Sequence, residues 1–138
     1  MKVVVDTNIL ISALIKDSIT RKILVQSGWT FYYPEESLHE IRKYQNLVLE
    51  KSGLNNDDFE NLLQLLLKYI VIIPQERIAL KVAEAREIME KQDPKDTIFI
   101  AAALSISEAV IWSEDKDFDR QDRIRALKTK DLADILDI

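Results

Sequence analysis

The chain has 138 residues, a formal net charge of −5 and no cysteine. This length suits one domain with its own core, so we expect a single domain over residues 1–138, and 47% hydrophobic content with two glycines and three prolines excludes a disordered or loop-rich protein. The absence of cysteine excludes disulfides, thiolate metal sites and cysteine nucleophiles, and the acidic balance argues against binding nucleic acid by bulk electrostatics.

Short apolar runs alternate with segments of helical period along the chain. The runs predict strands at 2–5, 29–33, 69–73 and 109–113, with a weaker one at 125–128. The segments between them predict helices at 9–14, 19–26, 35–51, 57–67, 78–91, 97–107 and 131–136. Because the first and third runs are apolar at consecutive positions, as in strands covered on both faces, we expect an α/β fold, a three-layer α/β/α sandwich with a central parallel sheet of about five strands.

The sequence predicts neither a signal peptide nor a membrane-spanning helix. The apolar start reaches Asp6 too soon to form the core of a signal peptide. The longest apolar stretch, 62–73, is interrupted by Gln64 and Lys68 and is shorter than the about 20 residues that a membrane helix needs. We therefore expect a cytoplasmic protein without membrane contact.

Four acidic residues predict a metal site: Asp6, Glu40, Asp96 and Asp115. Asp6 ends the first predicted strand and Asp115 follows the fourth, and ligands of open α/β sheets collect at such carboxyl ends. If the four side chains converge, their charges are tolerated only when cations bind or when their pKa values rise. We expect two ions of Mg²⁺ or Mn²⁺ to balance them.

The segment Asp6-Thr7-Asn8 has two interpretations. Such residues between a strand and a helix often cap the helix by accepting hydrogen bonds from free backbone N–H groups. Alternatively, Asp6 binds metal while Thr7 and Asn8 orient it or a bound water.

The segment Asp93-Pro94-Lys95-Asp96 is typical of a helix start, with Asp93 as N-cap and Pro94 at the first helical position. Asp96 opens an unusually apolar helix, so we take Asp93 as the cap and Asp96 as the ligand. Glu40 is the weakest of the four on local grounds, since glutamates on helices are commonly solvated. It flanks the inward stripe of its predicted helix, and Glu36, one turn earlier, is the competing candidate.

A dense acidic turn follows the fourth strand, in which like charges repel one another. We take Asp115 as a metal ligand, Asp117 as a structural or water-mediated second acid, and the Ser113 hydroxyl as a group available to bound water or to a substrate phosphate. Asp119 and Asp122 are expected to be solvated.

The remaining polar and aromatic candidates have simpler explanations. His39 points about 100° away from Glu40 on a helix, so we expect a surface histidine. Strand aromatics are expected to fill the core, namely Trp29, Phe31, Tyr33 and Trp112. Basic side chains near the cleft could reach a phosphate backbone, namely Lys16, Arg21, Lys22, Arg42 and Lys43.

Four short motifs in order along nearly the whole chain resemble the PIN-domain family. They are Val-Val-Val-Asp6-Thr7-Asn8-Ile-Leu-Ile, Leu38-His39-Glu40-Ile41, Asp93-Pro94-Lys95-Asp96 before an alanine-rich helix, and Trp-Ser113-Glu-Asp115-Lys-Asp117-Phe. They look like the VapC-type toxin branch and its uncharacterised prokaryotic relatives. One departure is Ser113, where threonine is more usual.

The resemblance implies a metal-dependent ribonuclease with RNA as its substrate. It also implies Mg²⁺ or Mn²⁺ held by Asp6, Glu40, Asp96 and Asp115, a homodimer, and an antitoxin protein as partner. The alternative is a catalytically weak PIN-like fold that serves as an RNA-binding or protein-interaction module.

Other enzyme classes of similar architecture fit poorly. A receiver domain should carry paired acids after its first strand, and a phosphoaspartyl hydrolase should have a second aspartate where this chain has Asn8. The chain has neither a glycine-rich dinucleotide loop nor a phosphate-binding Gly-Lys-Ser/Thr motif.

Overall fold

A five-stranded parallel sheet forms the centre of the molecule. The computed structural model describes residues 1–16, 18–89 and 94–138. The strands are β1 Lys2–Val5, β2 Thr30–Pro34, β3 Ile70–Ile73, β4 Ala109–Trp112 and β5 Ala126–Leu127. Their order is β3-β2-β1-β4-β5, and every neighbouring pair is parallel. The predicted strands are confirmed to within one residue at each end.

Helices fill the connections between the strands. They are α1 Thr7–Ile15, α2 Ile19–Gln26, α3 Leu38–Lys43, α4 Gln45–Ser52, α5 Asn56–Leu67, α6 Gln75–Ala79, α7 Val82–Met89, α8 Pro94–Leu104 and α9 Thr129–Leu136. Short 3₁₀ turns occur at Glu35–Ser37 and Lys116–Arg120. Within the described ranges, no helix is long and apolar enough to cross a membrane.

The helices cover both faces of the sheet. Successive side chains of a strand point to opposite faces, and Val3, Val4 and Val5 of β1 are all 0% exposed. In one outer layer α8 lies against β1, β2 and β4 and contacts α6 and α7, while in the other α1 contacts α2, α3, α4 and α5. The predicted three-layer α/β/α sandwich is confirmed.

Two of the predicted helices are interrupted, which corrects the sequence analysis. The segment predicted as one helix over 35–51 is a 3₁₀ turn followed by α3 and α4, which separate at Tyr44, where φ is −96° and ψ is 5°. The segment predicted over 78–91 is split between α6 and α7 around Leu80, and its last two residues lie outside the described ranges. Neither break has a proline or glycine that would have signalled it.

The strand order creates a crevice beside the central strand. From β1 the chain builds β2 and β3 on one side and then crosses to β4 on the other side of β1. The connections that leave β1 and β4 therefore diverge, and ligands of doubly wound sheets bind at this topological switch point. Val5 of β1 pairs with Trp112 of β4, so Asp6 and Ser113 are the next residues on either side of the crevice.

Candidate metal centre at the carboxyl edge of the sheet

Ser113 joins the carboxyl ends of the two central strands. Its hydroxyl donates to Oδ2 of Asp6 at 2.6 Å and accepts a hydrogen bond from the backbone N–H of Asp115 at 2.9 Å. The N–H of Asp6 donates to the carbonyl of Trp112 at 3.0 Å. Asp6 is only 7% exposed and Ser113 only 3% exposed, so this network fixes the Asp6 carboxylate.

Asp6 occupies the N-cap position of α1, but its side chain makes no capping hydrogen bond. The metal-binding interpretation of this segment stays a prediction. Burial raises the pKa of Asp6, and the nearby charge of Asp115 raises it further. The Ser113 hydroxyl and the N–H groups of Asn8 and Thr7 act in the opposite direction.

Three further carboxylates form an acidic cluster made of Asp96, Asp115 and Asp117. One oxygen from each lies within 4.8 Å of the others. Oδ1 of Asp115 accepts a hydrogen bond from the N–H of Asp117 at 2.9 Å, which starts the 3₁₀ turn Lys116–Arg120 and brings Asp117 close to Asp96 in the first turn of α8. Asp117 thus shares the cluster with two of the predicted ligands.

The acidic cluster raises the pKa of Asp96 to about 7. Burial is the largest cause, followed by the charge of Asp115, a hydrogen bond with Asp117, and the charges of Asp117 and Asp6. In this hydrogen bond the protonated Asp96 carboxyl donates to Asp117. Without a cation, Asp96 holds a proton below about pH 7, and this proton partly relieves the repulsion.

Glu40 of α3 lies beside Asp6 but outside the acidic cluster. It is 8% exposed, so the solvated face that is usual for a helical glutamate does not describe it. Burial raises its pKa most, Asp6 raises it further, and Lys95 is the strongest influence in the other direction. Glu36, the competing candidate, lines a different cavity together with Gln75 and residues of α7 and α8.

A buried hydroxyl chain supports the start of α1. Tyr33 at the end of β2 donates to the carbonyl of Ser37 at 2.8 Å, and its oxygen lies 2.7 Å from the Thr7 hydroxyl. Because the single Tyr33 proton is used, Thr7 must donate to Tyr33. Sequence reasoning treated Tyr33 as core packing alone; its position at the carboxyl end of a strand next to β1 is the signal that it also reaches this edge.

Several other predictions concern the surroundings of the site. His39 is exposed, as predicted, and its Nδ1 lies 2.8 Å from the carbonyl of Glu36. Asp119 and Asp122 are exposed, and α8 begins at Pro94 as expected. The predicted cap Asp93 lies outside the described residues.

The donor set fits a hard divalent cation. The site offers carboxylate and hydroxyl oxygens, the chain has no cysteine, and its one histidine is exposed. Such oxygen donors suit Mg²⁺ and Mn²⁺ rather than softer metals. Burial is the largest cause of the raised pKa values of Asp6, Glu40 and Asp96, and a neighbouring carboxylate raises each of them further.

Comparisons with known proteins agree with this architecture. A family model described as PIN domain matches residues 4–130. A chain of the crystal structure described as VapBC2 from Rickettsia felis bound to a DNA fragment from their promoter has the same fold, with a TM-score of 0.70 and 18% sequence identity. The match covers 93% of this chain and 98% of that chain. No curated protein matches the sequence.

Proposed function

This chain belongs to the PIN-domain family, and on that premise we propose that it is a metal-dependent endoribonuclease that hydrolyses phosphodiester bonds of RNA. PIN domains are a family of nucleases. The observation that carries the proposal is the acidic cluster, whose oxygens lie within 4.8 Å of one another, next to the crevice between β1 and β4. Repulsion among these carboxylates lowers the stability of the metal-free protein, and a bound cation would offset that repulsion.

The proposed ligands of Mg²⁺ or Mn²⁺ are Asp6, Glu40, Asp96 and Asp115. Asp117 completes the acidic cluster and would orient the cation or a water molecule bound to it. Ions held there would lower the pKa of an attacking water and stabilise the leaving oxygen of an in-line displacement. No protein nucleophile is required, which suits a chain without cysteine.

The other residues of the site position these carboxylates. Ser113 holds Asp6 in one orientation through the 2.6 Å hydrogen bond. Thr7 anchors the start of α1 to Tyr33, and in this proposal Thr7 and Asn8 orient Asp6 or a water molecule bound to the metal. The predicted role of Asp93 as the cap of α8 stays a prediction.

Asp96 has a specific requirement in this proposal. Its pKa of about 7 means that it must lose a proton before it can bind a cation fully. Activity should therefore rise with pH through this range. The same property favours the alternative function, a catalytically weak RNA-binding or protein-interaction module, if the proton is retained at cellular pH.

The test is RNA cleavage by purified protein with Mg²⁺, with Mn²⁺ or with EDTA, on a fluorescent single-stranded RNA. Asp6→Asn and Asp115→Asn should lower the rate by more than about 100-fold, because ligands matter at least as much as the groups that orient them. The exposed Asp122→Asn is the matched control and should cleave like wild type. A wild-type protein that cuts nothing with either metal, or variants that cut normally, would refute the proposal.

We also propose that residues 1–138 form a single PIN-like domain in the cytoplasm, that the protein forms a homodimer and that an antitoxin protein binds it. The single five-stranded sheet supports the first point, and the likeness to a chain of the VapBC2 complex supports a protein partner. Light scattering of the purified protein would test the dimer. Co-purification with the product of a neighbouring gene, together with growth arrest when the chain is expressed alone, would test the antitoxin.

A further inference from the structure

A groove lined by apolar and polar side chains adjoins the acidic site and runs along α1. Its cavity measures about 410 Å³, which lies in the range of small-ligand sites. Two residues of its wall are direct neighbours of the site. Ile9 donates its N–H to the carbonyl of Asp6 at 3.0 Å, and Glu114 lies between Ser113 and Asp115. A chain bound at the carboxylates can therefore continue into the groove.

The helix α1 supplies one side of this groove with an exposed polar stripe. Asn8, Ser12 and Lys16 are exposed and follow one another at intervals of four residues, whereas the other residues of α1 are buried or half-buried. A helix rises about 1.5 Å per residue, so Ser12 lies about 9 Å and Lys16 about 15 Å beyond Asp6 along the axis. The stripe leads away from the acidic site over a length that suits a polymeric substrate.

Two lysines from different segments of the chain line the groove. Lys16 follows the last residue of α1, and Lys51 lies in the last turn of α4. Within the described ranges neither lysine forms a salt bridge. Three arginines do, namely Arg42, Arg120 and Arg123. In a protein with a net charge of −5, two lysines that form no ion pair with the described carboxylates give this part of the groove a local positive charge that favours an anion.

Hydroxyl groups complete the wall of the groove. The Ser18 hydroxyl is buried and has no hydrogen-bond partner among the described residues, which is unfavourable unless a ligand supplies one. The Thr129 hydroxyl accepts a hydrogen bond from Nε1 of Trp112 at 2.9 Å, which leaves its own proton available. Lysines together with serine and threonine hydroxyls are the groups that contact phosphate oxygens of nucleic acids.

We propose that this groove binds a backbone phosphate of the RNA at a distance from the bond that is cleaved, with Lys16 and Lys51 neutralising its charge. The identity of the ligand as RNA rests on the proposed function. Glu114 occupies the end of the groove nearest the carboxylates and repels phosphate there, so the phosphate lies at the lysine end. Of the basic residues that the sequence placed near a phosphate backbone, Lys16 keeps this role, whereas Arg42 is held by Glu60.

The test compares wild type with Lys16→Ala, Lys51→Ala and the double variant. The matched control is Lys2→Ala, because Lys2 is exposed at the amino end of β1, on the opposite edge of the sheet from the site. Two quantities are measured: binding of a fluorescent 12-nucleotide RNA in EDTA by anisotropy, and kcat and KM for the same RNA with Mn²⁺. Lys16→Arg with Lys51→Arg keeps the charge and should restore both.

We expect the double variant to raise the Kd and the KM about tenfold, to leave kcat within about twofold, and to lower the salt slope of log Kd by about 0.7 for each lysine. If the Kd and KM of the double variant equal those of wild type, the inference is wrong, even if the protein cleaves RNA. The groove would then be a candidate binding site for an acidic protein. If the wild type binds RNA without cleaving it and the variants lose this binding, the inference is supported and the nuclease proposal is refuted. If the wild type neither binds nor cleaves RNA, both proposals fail.

Discussion

The middle of the sheet and its carboxyl edge lie only a few residues apart on the same strands, β1 and β4. In the middle, Val4 and Ile111 are paired in register and are both 0% exposed, so each gains free energy from burial. At the edge, Asp6 and Asp115 follow the same strands, and burial and like charge raise the pKa of Asp6. The first region stabilises the fold, and the second reduces the stability of the metal-free protein.

The buried core explains why the protein folds despite the repulsion among the carboxylates of the acidic site. A core made of apolar side chains from both outer layers holds the strand ends in place, and the strand ends then hold the carboxylates. Removing core volume should therefore lower stability, whereas removing an acid should raise it.

The largest effect is expected for Ile111→Ala in the middle of the sheet. Loss of a buried isoleucine with incomplete collapse of the cavity should lower the free energy of unfolding by about 2–5 kcal/mol. Val71→Ala is the matched control, since Val71 is also an apolar strand residue but is 49% exposed. It should change stability by less than about 0.5 kcal/mol in the same urea titrations. Equal losses in both variants would contradict the division between core and edge.

Ser113→Ala tests the hydrogen bonds that join the two strand ends. It removes the donor to Asp6 and the acceptor for the N–H of Asp115, so it should lower the free energy of unfolding by about 1–3 kcal/mol. Ser113→Thr retains the hydroxyl and should lose less. A stability for Ser113→Ala equal to that of wild type would mean that the hydroxyl does not hold the Asp6 carboxylate.

Asp96→Asn should stabilise the metal-free protein at pH 8. Asn keeps the shape of the side chain but removes a half-buried charge that faces Asp115 and Asp117. We expect a gain on the order of 1 kcal/mol, because the partly exposed side chain is screened by water. Thermal unfolding in EDTA, with the exposed Asp122→Asn as control, measures it. A lower melting temperature for Asp96→Asn than for wild type would show that the repulsion is already relieved.

The pH dependence of stability provides a finer test of the same charge. The pKa of Asp96 is about 7 in the folded protein against 3.8 for the free side chain, so the folded state binds the proton more tightly. Its contribution to stability is therefore largest at low pH and is lost as pH rises from about 4 to about 7. The difference in unfolding free energy between wild type and Asp96→Asn in EDTA should follow this window. If this difference in unfolding free energy does not change with pH, the pKa of Asp96 in the folded protein lies near its ordinary value.

The sequence predicts the sheet better than it predicts the helices. Runs such as Val3-Val4-Val5 and Ile70-Val71-Ile72-Ile73 are short, apolar and rich in branched residues, so the strand bounds are found to within a residue. The breaks at Tyr44 and around Leu80 depend on tertiary packing. Local residue preferences carry no signal for them.

The candidate site is predictable where it follows strand ends and unpredictable where it depends on a turn. Asp6 and Ser113 meet because their strands are neighbours in register. Asp117 lies close to Asp96 because of a 3₁₀ turn that the sequence does not predict. Lys51 lines the groove because α4 packs on α1. Such contacts between distant segments come from the fold itself.

Calorimetric titration of Mn²⁺ into wild-type protein at pH 7, in buffers with different ionisation enthalpies, tests the carboxylate site most directly. If the acids hold the cation, binding heat should appear together with release of protons, because Asp96 with a pKa of about 7 is partly protonated there. Both signals should vanish in Asp115→Asn and persist in Asp122→Asn. Absence of binding by the wild type, or equal binding by Asp115→Asn, would contradict a metal centre at this edge of the sheet.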